Sequence, residues 1–135
     1  MDEAAKRYGK VIHHATIGGE ELYSFKKNGF DIEVHFHEGK IDRIRYGKES
    51  GEKLTPEEID TLLKANNGGR PMKEKVPYFW IGKDVNAACH KSGGIWRLRV
   101  ETKAYEQRLI EARQRGLNDH RKRFEPNPHT GLNGF

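Results

Sequence analysis

The clearest pattern in the chain is a strict alternation of apolar and polar residues across positions 30–37. The apolar members are Phe30, Ile32, Val34 and Phe36. A period of two is typical of a β-strand with one buried face. Turn sequences flank this stretch at Asn28-Gly29 and Glu38-Gly39, and the alternation continues at positions 44 and 46. The pattern predicts an antiparallel hairpin whose even-numbered side chains from 30 to 46 form a core.

The turn between these two strands determines which residues face each other. A three-residue loop, His37-Glu38-Gly39 with Gly39 left-handed, would set Ile32 opposite Ile44 and Glu33 opposite Arg43. By the same register, Asp31 would face Arg45. A two-residue loop would instead mix charged and apolar residues on one face. We therefore expect the three-residue loop, with His37 in the turn.

A helix is predicted after this hairpin. Thr55-Pro56-Glu57-Glu58 has the form of a capping box, with Thr55 at the N-cap and Glu58 reaching back to it. The apolar residues Ile59, Leu62 and Leu63 follow at helical spacing. The sequence Asn66-Asn67-Gly68-Gly69 is expected to end the helix.

A second stretch of strands follows a predicted linker at 70–77. Strands are expected at 78–81, 85–90 and 95–100, and a short helix is also expected at Asp2–Tyr8. Thr102 is placed to cap a helix over 103–115 that ends at Gly116. The remaining residues, 117–135, have no periodicity and predict a flexible tail.

The two halves of the chain resemble each other. Residues 41–46 align with 95–100, which lie 54 positions later in the sequence. Each half reads as three strands and a helix, so the tandem units would be 20–69 and 77–116. The expected fold is α+β: one domain over 1–116, with an antiparallel sheet and its helices packed on one face. The alternative is that two amphipathic hairpins simply look alike.

Composition narrows the function classes. Hydrophobic residues make up 34% and charged residues 33% of the chain, and no apolar run approaches the roughly 20 residues of a membrane-spanning helix. Cys89 is the only cysteine, which excludes an intrachain disulfide and a multi-cysteine metal site. We therefore expect no cofactor.

Charge is distributed unevenly. The net charge is +5, yet residues 70–124 hold 14 Lys and Arg against 6 Asp and Glu. Arg97 and Arg99 lie on a predicted strand whose neighbour offers no carboxylate on that face. If the third strands of the two units are adjacent, the predicted surface comprises Lys83, Lys91, Arg97, Arg99, Arg43 and Arg45. Such a surface binds phosphates or an acidic protein, or is simply a well-solvated sheet face.

Other candidate groups point to weaker hypotheses. His35 and His37 lie two apart on one strand, a spacing that can hold zinc, although outer-face histidines without a metal explain the pattern better. Cys89 could act as a nucleophile with a nearby histidine, but its alternation with Val85 and Ala87 favours an inward apolar role. The sequence has no phosphate-binding glycine loop and no serine-hydrolase motif. We therefore expect a protein that is not an enzyme.

The tail begins with a basic run. Arg121, Lys122 and Arg123 follow His120. A basic run near a terminus can bind nucleic acid or anionic lipid, or can help solubility. Most aromatic residues fall on core-facing positions, which argues against single-strand nucleic-acid binding by base stacking.

The first half also carries a resemblance to a known group. The segment Ala5–Lys10, then Tyr23-Ser24-Phe25, Ile32–Phe36 and Gly39–Tyr46 resemble small bacterial envelope domains of the SmpA/OmlA lipoprotein type and the related β-lactamase-inhibitor-protein-like modules. The similarity covers about residues 4–46. The chain lacks that group's Gly-Met-Thr helix start and has Val11 in place of a proline. The resemblance implies a non-catalytic binding or assembly module of the bacterial envelope.

The sequence allows two cellular locations and three kinds of function. Met1 is followed at once by the charged stretch Asp2–Arg7, so no signal peptide is expected. The chain is then cytoplasmic, or it is periplasmic or envelope-bound with its leader removed. Our first hypothesis is a binding module that contacts a protein partner through a sheet face. The alternatives are a nucleic-acid- or polyanion-binding domain that uses Arg97, Arg99 and residues 120–123, and a metal-dependent activity at His35 and His37.

Overall fold

The computed structural model describes residues 2–124, and the side chains of residues 3–117. Its elements are α1 (Asp2–Tyr8), β1 (His13–Ile17), β2 (Glu20–Lys27), β3 (Phe30–His37), β4 (Lys40–Lys48), α2 (Pro56–Ala65), β5 (Lys73–Val76), β6 (Phe79–Ile81), β7 (Val85–Ser92), β8 (Ile95–Thr102) and α3 (Lys103–Phe124). The strands form one eight-stranded antiparallel sheet in the order β1-β2-β3-β4-β8-β7-β6-β5. The predicted α+β class with an antiparallel sheet is confirmed.

Two runs of four consecutive strands meet at the centre of this sheet. β4 pairs with β8, with Ile44 opposite Val100 and Tyr46 opposite Leu98. The segments 41–46 and 95–100 therefore lie side by side, which is the condition on which the extended basic surface depended. Each half contributes four strands before its helix, where the sequence predicted three.

The buried core lies on one side of the central strands. The largest fully buried side chains are Tyr46, Phe25, Leu54, Leu98 and Val34. Four of these residues lie on β2, β3, β4 and β8, where buried and less buried residues alternate because the pleat points successive side chains to opposite faces. Ala4 and Tyr8 of α1 and Ile59 and Leu63 of α2 belong to the same buried cluster. Each large apolar side chain buried in this way contributes about 1.5–3 kcal/mol.

The turn between β3 and β4 differs from the prediction. Glu38-Gly39 is a two-residue turn with φ values of 51° and 78°, the positive pair that a type I′ hairpin requires. Phe36 faces Ile41, but Val34 faces Ile44, because β4 contains one extra residue between these pairs. This β-bulge keeps apolar residues on the core face, so the faces were predicted correctly, whereas the three-residue loop was wrong.

The predicted start of α2 is confirmed. The Thr55 side chain accepts a hydrogen bond from the Glu58 backbone N–H at 3.2 Å, and Glu58 Oε1 accepts one from the Thr55 N–H at 2.7 Å. These two bonds satisfy donors that a helix start leaves without partners. At the other end Asn66 is the C-cap residue, and its side chain donates to the Leu62 carbonyl at 2.9 Å.

Two strands and part of a helix differ from the prediction. The sequence predicts no strand at β1 and a linker at β5, yet both are the edge strands of the sheet. α3 is capped by Thr102, whose hydroxyl accepts from the Tyr105 N–H at 3.0 Å, as predicted. The helix does not end at Gly116 but continues to Phe124, so residues 117–124 are helical rather than a loose tail.

The chain divides into two compact units. Met1–Tyr105 contains the sheet, and Glu106–Phe135 contains the rest of α3. The side chains of Arg121, Lys122 and Arg123 and all of residues 125–135 lie outside the described part, so the predictions for the tail stay predictions. Within the described residues, no helix is both long enough and apolar enough to span a membrane.

Candidate binding surface on the outer face of the sheet

The side of the central strands that faces away from the core is rich in arginine. We call this side the outer face. Because Ile44 and Tyr46 of β4 and Leu98 and Val100 of β8 are buried, the residues between them point outward. The outward residues form what we call the arginine cluster: Arg43, Arg45, Arg97 and Arg99. The structure thus brings together four of the six cations predicted for the binding surface.

Two members of the arginine cluster face each other directly. Arg45 lies opposite Arg99 in the β4–β8 register. Like charges directly opposite each other destabilise a sheet. The pKa of Arg45 is lowered by burial and by the charges of Arg43, Arg97 and Arg99, while Glu33 acts in the opposite direction. The centre of the sheet therefore holds positive charge that the fold itself disfavours.

Carboxylates neutralise this charge only in part. Glu33 lies 3.8 Å from Arg45, and Glu101 forms an ion pair with Nε of Arg99. Arg97 makes no ion pair with any described residue. The pairs expected from sequence, Glu33 with Arg43 and Asp31 with Arg45, do not form, because the bulge shifts the register. Two of the four guanidinium groups thus have a carboxylate partner, and further carboxylates lie at the ends of the cluster, those of Glu20, Glu21, Asp31 and Glu49.

The backbone of β4 makes room for Arg97. A Cβ atom placed on Gly47 would lie 3.5 Å from Cγ of Arg97 and 3.4 Å from the Trp96 carbonyl oxygen. Both distances are ordinary van der Waals contacts, so the stem of Arg97 lies directly beside β4 at Gly47.

His35 is held neutral beside the arginine cluster. Arg43 lies within 3.3–3.4 Å of the His35 ring nitrogens and donates a hydrogen bond to the Tyr105 hydroxyl at 3.1 Å. Burial and the charges of Arg43 and Arg45 lower the pKa of His35 to about 4. The pKa of His90 is also lowered, by burial and then by Arg99, Arg45 and Arg97. Both rings are therefore neutral at pH 7 and can accept hydrogen bonds.

The other two predicted cations are not part of the arginine cluster. Lys91 faces Trp96 in the β7–β8 register, so it lies on the same side of the sheet as the buried Cys89. Lys83 lies in the turn before β7, where its backbone N–H donates to the Asn67 side chain at 3.0 Å. Both lysines are exposed. The sequence alone could have shown this, because Lys91 and Cys89 are two positions apart on a strand and therefore point to the same side of the sheet.

Two depressions flank the arginine cluster. One, of about 310 Å³, adds Ile17 and Leu22 from the β1–β2 hairpin to Arg43 and Arg45. The other, of about 140 Å³, is lined in part by Arg97, Ile95 and Gly47. Glu20, Glu21 and Glu33 also line the first depression, and Asp31, Glu33 and Glu49 also line the second. A ligand lying across the cluster would therefore meet both apolar and acidic groups at its ends.

The metal and nucleophile hypotheses find little support in the geometry. His37 is part of β3 rather than the turn, and it lies 3.7 Å from both Glu20 and Glu38. In the part of the chain that is described, no three His, Cys, Asp or Glu side chains are grouped to hold a metal ion. Cys89 is only 5% exposed, and burial raises the pKa of its thiol, which disfavours the reactive thiolate.

Comparisons with known proteins identify no family. No protein-family model matches the chain, and no curated protein matches it significantly. A solved structure, a cysteine-rich secretory protein from Staphylococcus aureus subsp. aureus Mu50, is 12% identical and has a TM-score of 0.48. The similarity covers 76% of this chain but 43% of that one, so the chain spans less than half the length of its structural neighbour. The resemblance to bacterial envelope modules stays a prediction.

Proposed function

We propose that the protein is a non-enzymatic binding module that holds an acidic segment of a partner protein on the outer face of its sheet. The observation that carries the proposal is the direct opposition of Arg45 and Arg99 within the arginine cluster. A fold gains no stability from like charges placed opposite each other. Carboxylates from a partner would remove this repulsion.

The arginine cluster is suited to carboxylates in its chemistry and its rigidity. The planar guanidinium group binds a carboxylate through two parallel N–H···O hydrogen bonds. All four arginines project from the two central strands of the sheet, so their backbone positions are fixed before a partner binds. A pre-organised site loses less entropy on binding than a flexible one.

A protein segment fits this surface better than a nucleic acid. Strands β3, β4 and β8 present no Phe, Tyr or Trp side chain on the outer face, where the aromatic rings are those of His35 and His37. The flanking depressions contain Ile17, Leu22 and Ile95, which offer contacts to the apolar residues of a peptide.

The test uses a fluorescein-labelled octaglutamate peptide as the probe. Fluorescence anisotropy at an ionic strength of about 0.05 M should show saturable binding to the full chain. The double substitution Arg45→Gln with Arg97→Gln removes one arginine of the cluster from each of the two central strands and should weaken binding at least tenfold. Each lost charge-assisted hydrogen bond is worth about 1.5–3 kcal/mol.

A matched control separates the arginine cluster from general basic charge. Lys83→Gln with Lys91→Gln removes the same charge from exposed positions outside the cluster and should change affinity by less than twofold. Equal losses in the two double variants would contradict the proposal. Tighter arginine-dependent binding of a single-stranded 12-mer oligonucleotide would replace the acidic partner with a nucleic acid.

A further inference from the structure

A groove of about 570 Å³ lies between α1 and α2 and belongs to the core side of the sheet rather than the outer face. Its apolar lining includes Phe30, Ile32, Leu62 and Ala65. This volume falls within the range of about 300–1,000 Å³ that is typical of small-molecule sites. The proposed binding of an acidic partner does not use it.

A directed chain of hydrogen bonds ends at this groove. Arg7 Nη2 donates to Asn66 Oδ1 at 2.9 Å, which fixes the orientation of the amide. Asn66 Nδ2 then donates to the Tyr46 hydroxyl at 2.9 Å, and Tyr46 and Tyr8 share a hydrogen bond between their hydroxyl groups. Two of these bonds have a fixed direction, from the Arg7 guanidinium through Asn66 to the Tyr46 hydroxyl, and either tyrosine can donate in the third.

Among the described residues, this series of hydrogen bonds leaves one tyrosine hydroxyl proton without an acceptor. The Tyr46 oxygen accepts from Asn66, and only one proton can lie between the two tyrosine oxygens. If Tyr46 donates that proton, the proton of Tyr8 is left for an acceptor in the groove. Tyr8 is 8% exposed and Tyr46 is 1% exposed, so Tyr8 is the member that a ligand can reach more easily. Burial, followed by Tyr46, raises the pKa of Tyr8, so its hydroxyl stays a donor.

The charges around the groove favour an anion. Lys6, Arg7 and Lys27 line it on one side, and Glu57 and Glu58 on the other. Glu58 is already engaged by Lys48 at 2.8 Å. Three cations therefore face one carboxylate, that of Glu57, without a described ion pair.

We propose that the groove binds a medium-chain carboxylic acid, whose carboxylate accepts a hydrogen bond from Tyr8 and whose hydrocarbon chain lies against Phe30 and Leu62. The carboxylate is recognised by the Tyr8 hydroxyl and by the positive charges of Lys6, Arg7 and Lys27. The hydrocarbon chain is recognised by the apolar lining of the groove. The ligand is bound without covalent change.

The experiment titrates ¹⁵N-labelled full-length protein with decanoate, below its micelle concentration, and follows amide shifts by NMR. Saturable shifts should be concentrated around Phe30, Ile32 and Leu62. Ala65 is exposed on α2, so Ala65→Trp fills the groove without disturbing the core and should weaken binding at least tenfold. Asp60→Trp adds the same side chain to an exposed position of α2 outside the groove and should change affinity less than twofold.

Two further measurements test whether the groove recognises the carboxylate group. Tyr8→Phe should weaken decanoate about tenfold, and decyltrimethylammonium, which has the same chain length and opposite charge, should give no saturable shifts. Equal binding of the two amphiphiles, or no effect of Ala65→Trp, would overturn the proposal. The Arg45→Gln, Arg97→Gln variant should bind decanoate with wild-type affinity. The proposal for the groove and the proposal for the arginine cluster are therefore tested independently.

Discussion

Replacing Arg45 by glutamine should stabilise the protein, because it removes the central charge of the arginine cluster. Arg45 faces Arg99 directly, and Arg43 and Arg97 also oppose its charge. Two unit charges about 6 Å apart interact by roughly 0.7 kcal/mol in water. Three such repulsions amount to roughly 2 kcal/mol, and the attraction to Glu33 at 3.8 Å offsets about 1 kcal/mol of this.

The net gain is therefore about 1 kcal/mol at low salt, and about half of that at physiological salt, where the Debye length is about 8 Å. For a domain of this size the melting temperature should rise by roughly 2–5 °C. Circular dichroism melts at about 20 and 500 mM NaCl provide the measurement. Salt should raise the melting temperature of the wild type and have less effect on Arg45→Gln.

Lys91→Gln is the matched control, because Lys91 is exposed and lies on the other side of the sheet. It should move the melting temperature by less than 1 °C. A loss of 1 kcal/mol or more in Arg45→Gln would refute the reasoning, since it would mean that the pair with Glu33 outweighs the repulsion within the arginine cluster.

Three further outcomes follow from particular residues. Thr55→Ala removes the N-cap of α2 and should cost about 1 kcal/mol in urea unfolding; an unchanged midpoint would contradict it. The folded-state pKa of His35, about 4, lies below the ordinary 6.5, so the unfolded chain binds the extra proton and stability should fall between pH 6.5 and 4. His35→Asn should flatten that part of the curve, and an NMR titration of the His35 ring near 6.5 would refute the shift. The buried Cys89 should react with a thiol reagent at least a hundredfold more slowly in native than in unfolded protein; equal rates would show that it is accessible.

The strands that the sequence revealed are those with one buried face. Val34 and Ile44 are buried while their neighbours are not, and this difference produces the alternation. β1 and β5 escaped prediction for the same reason. They are edge strands with almost no buried residue, so no alternation marks them. Their pairing depends on neighbouring strands, which local sequence does not encode.

The register of the β3–β4 hairpin shows another limit. Charge matching favoured the three-residue loop, because a two-residue turn without a bulge would place Arg43 opposite Val34. In the structure, a β-bulge in β4 allows the two-residue turn at Glu38-Gly39 while the apolar residues stay on the core face. A comparison of registers without bulges does not include this arrangement.

Part of the candidate site could be predicted, and part could not. The 54-residue offset between 41–46 and 95–100 relates Arg45 to Arg99, and these two residues pair in the sheet. Sequence therefore indicated that the arginines belong together once the two strands are adjacent. The groove between α1 and α2 gave no such signal, because Tyr8, Tyr46 and Asn66 come from separate parts of the chain.

The most direct test of the central claim observes the arginine side chains themselves. NMR signals of the arginine Nε–Hε groups should be recorded while octaglutamate is added to ¹⁵N-labelled full-length protein. We expect saturable shifts for Arg45, Arg97 and Arg99, and no shift for Arg7, because Arg7 lines the groove on the core side. Saturable binding that leaves the arginine cluster signals in place would contradict the claim that the outer face is the binding surface.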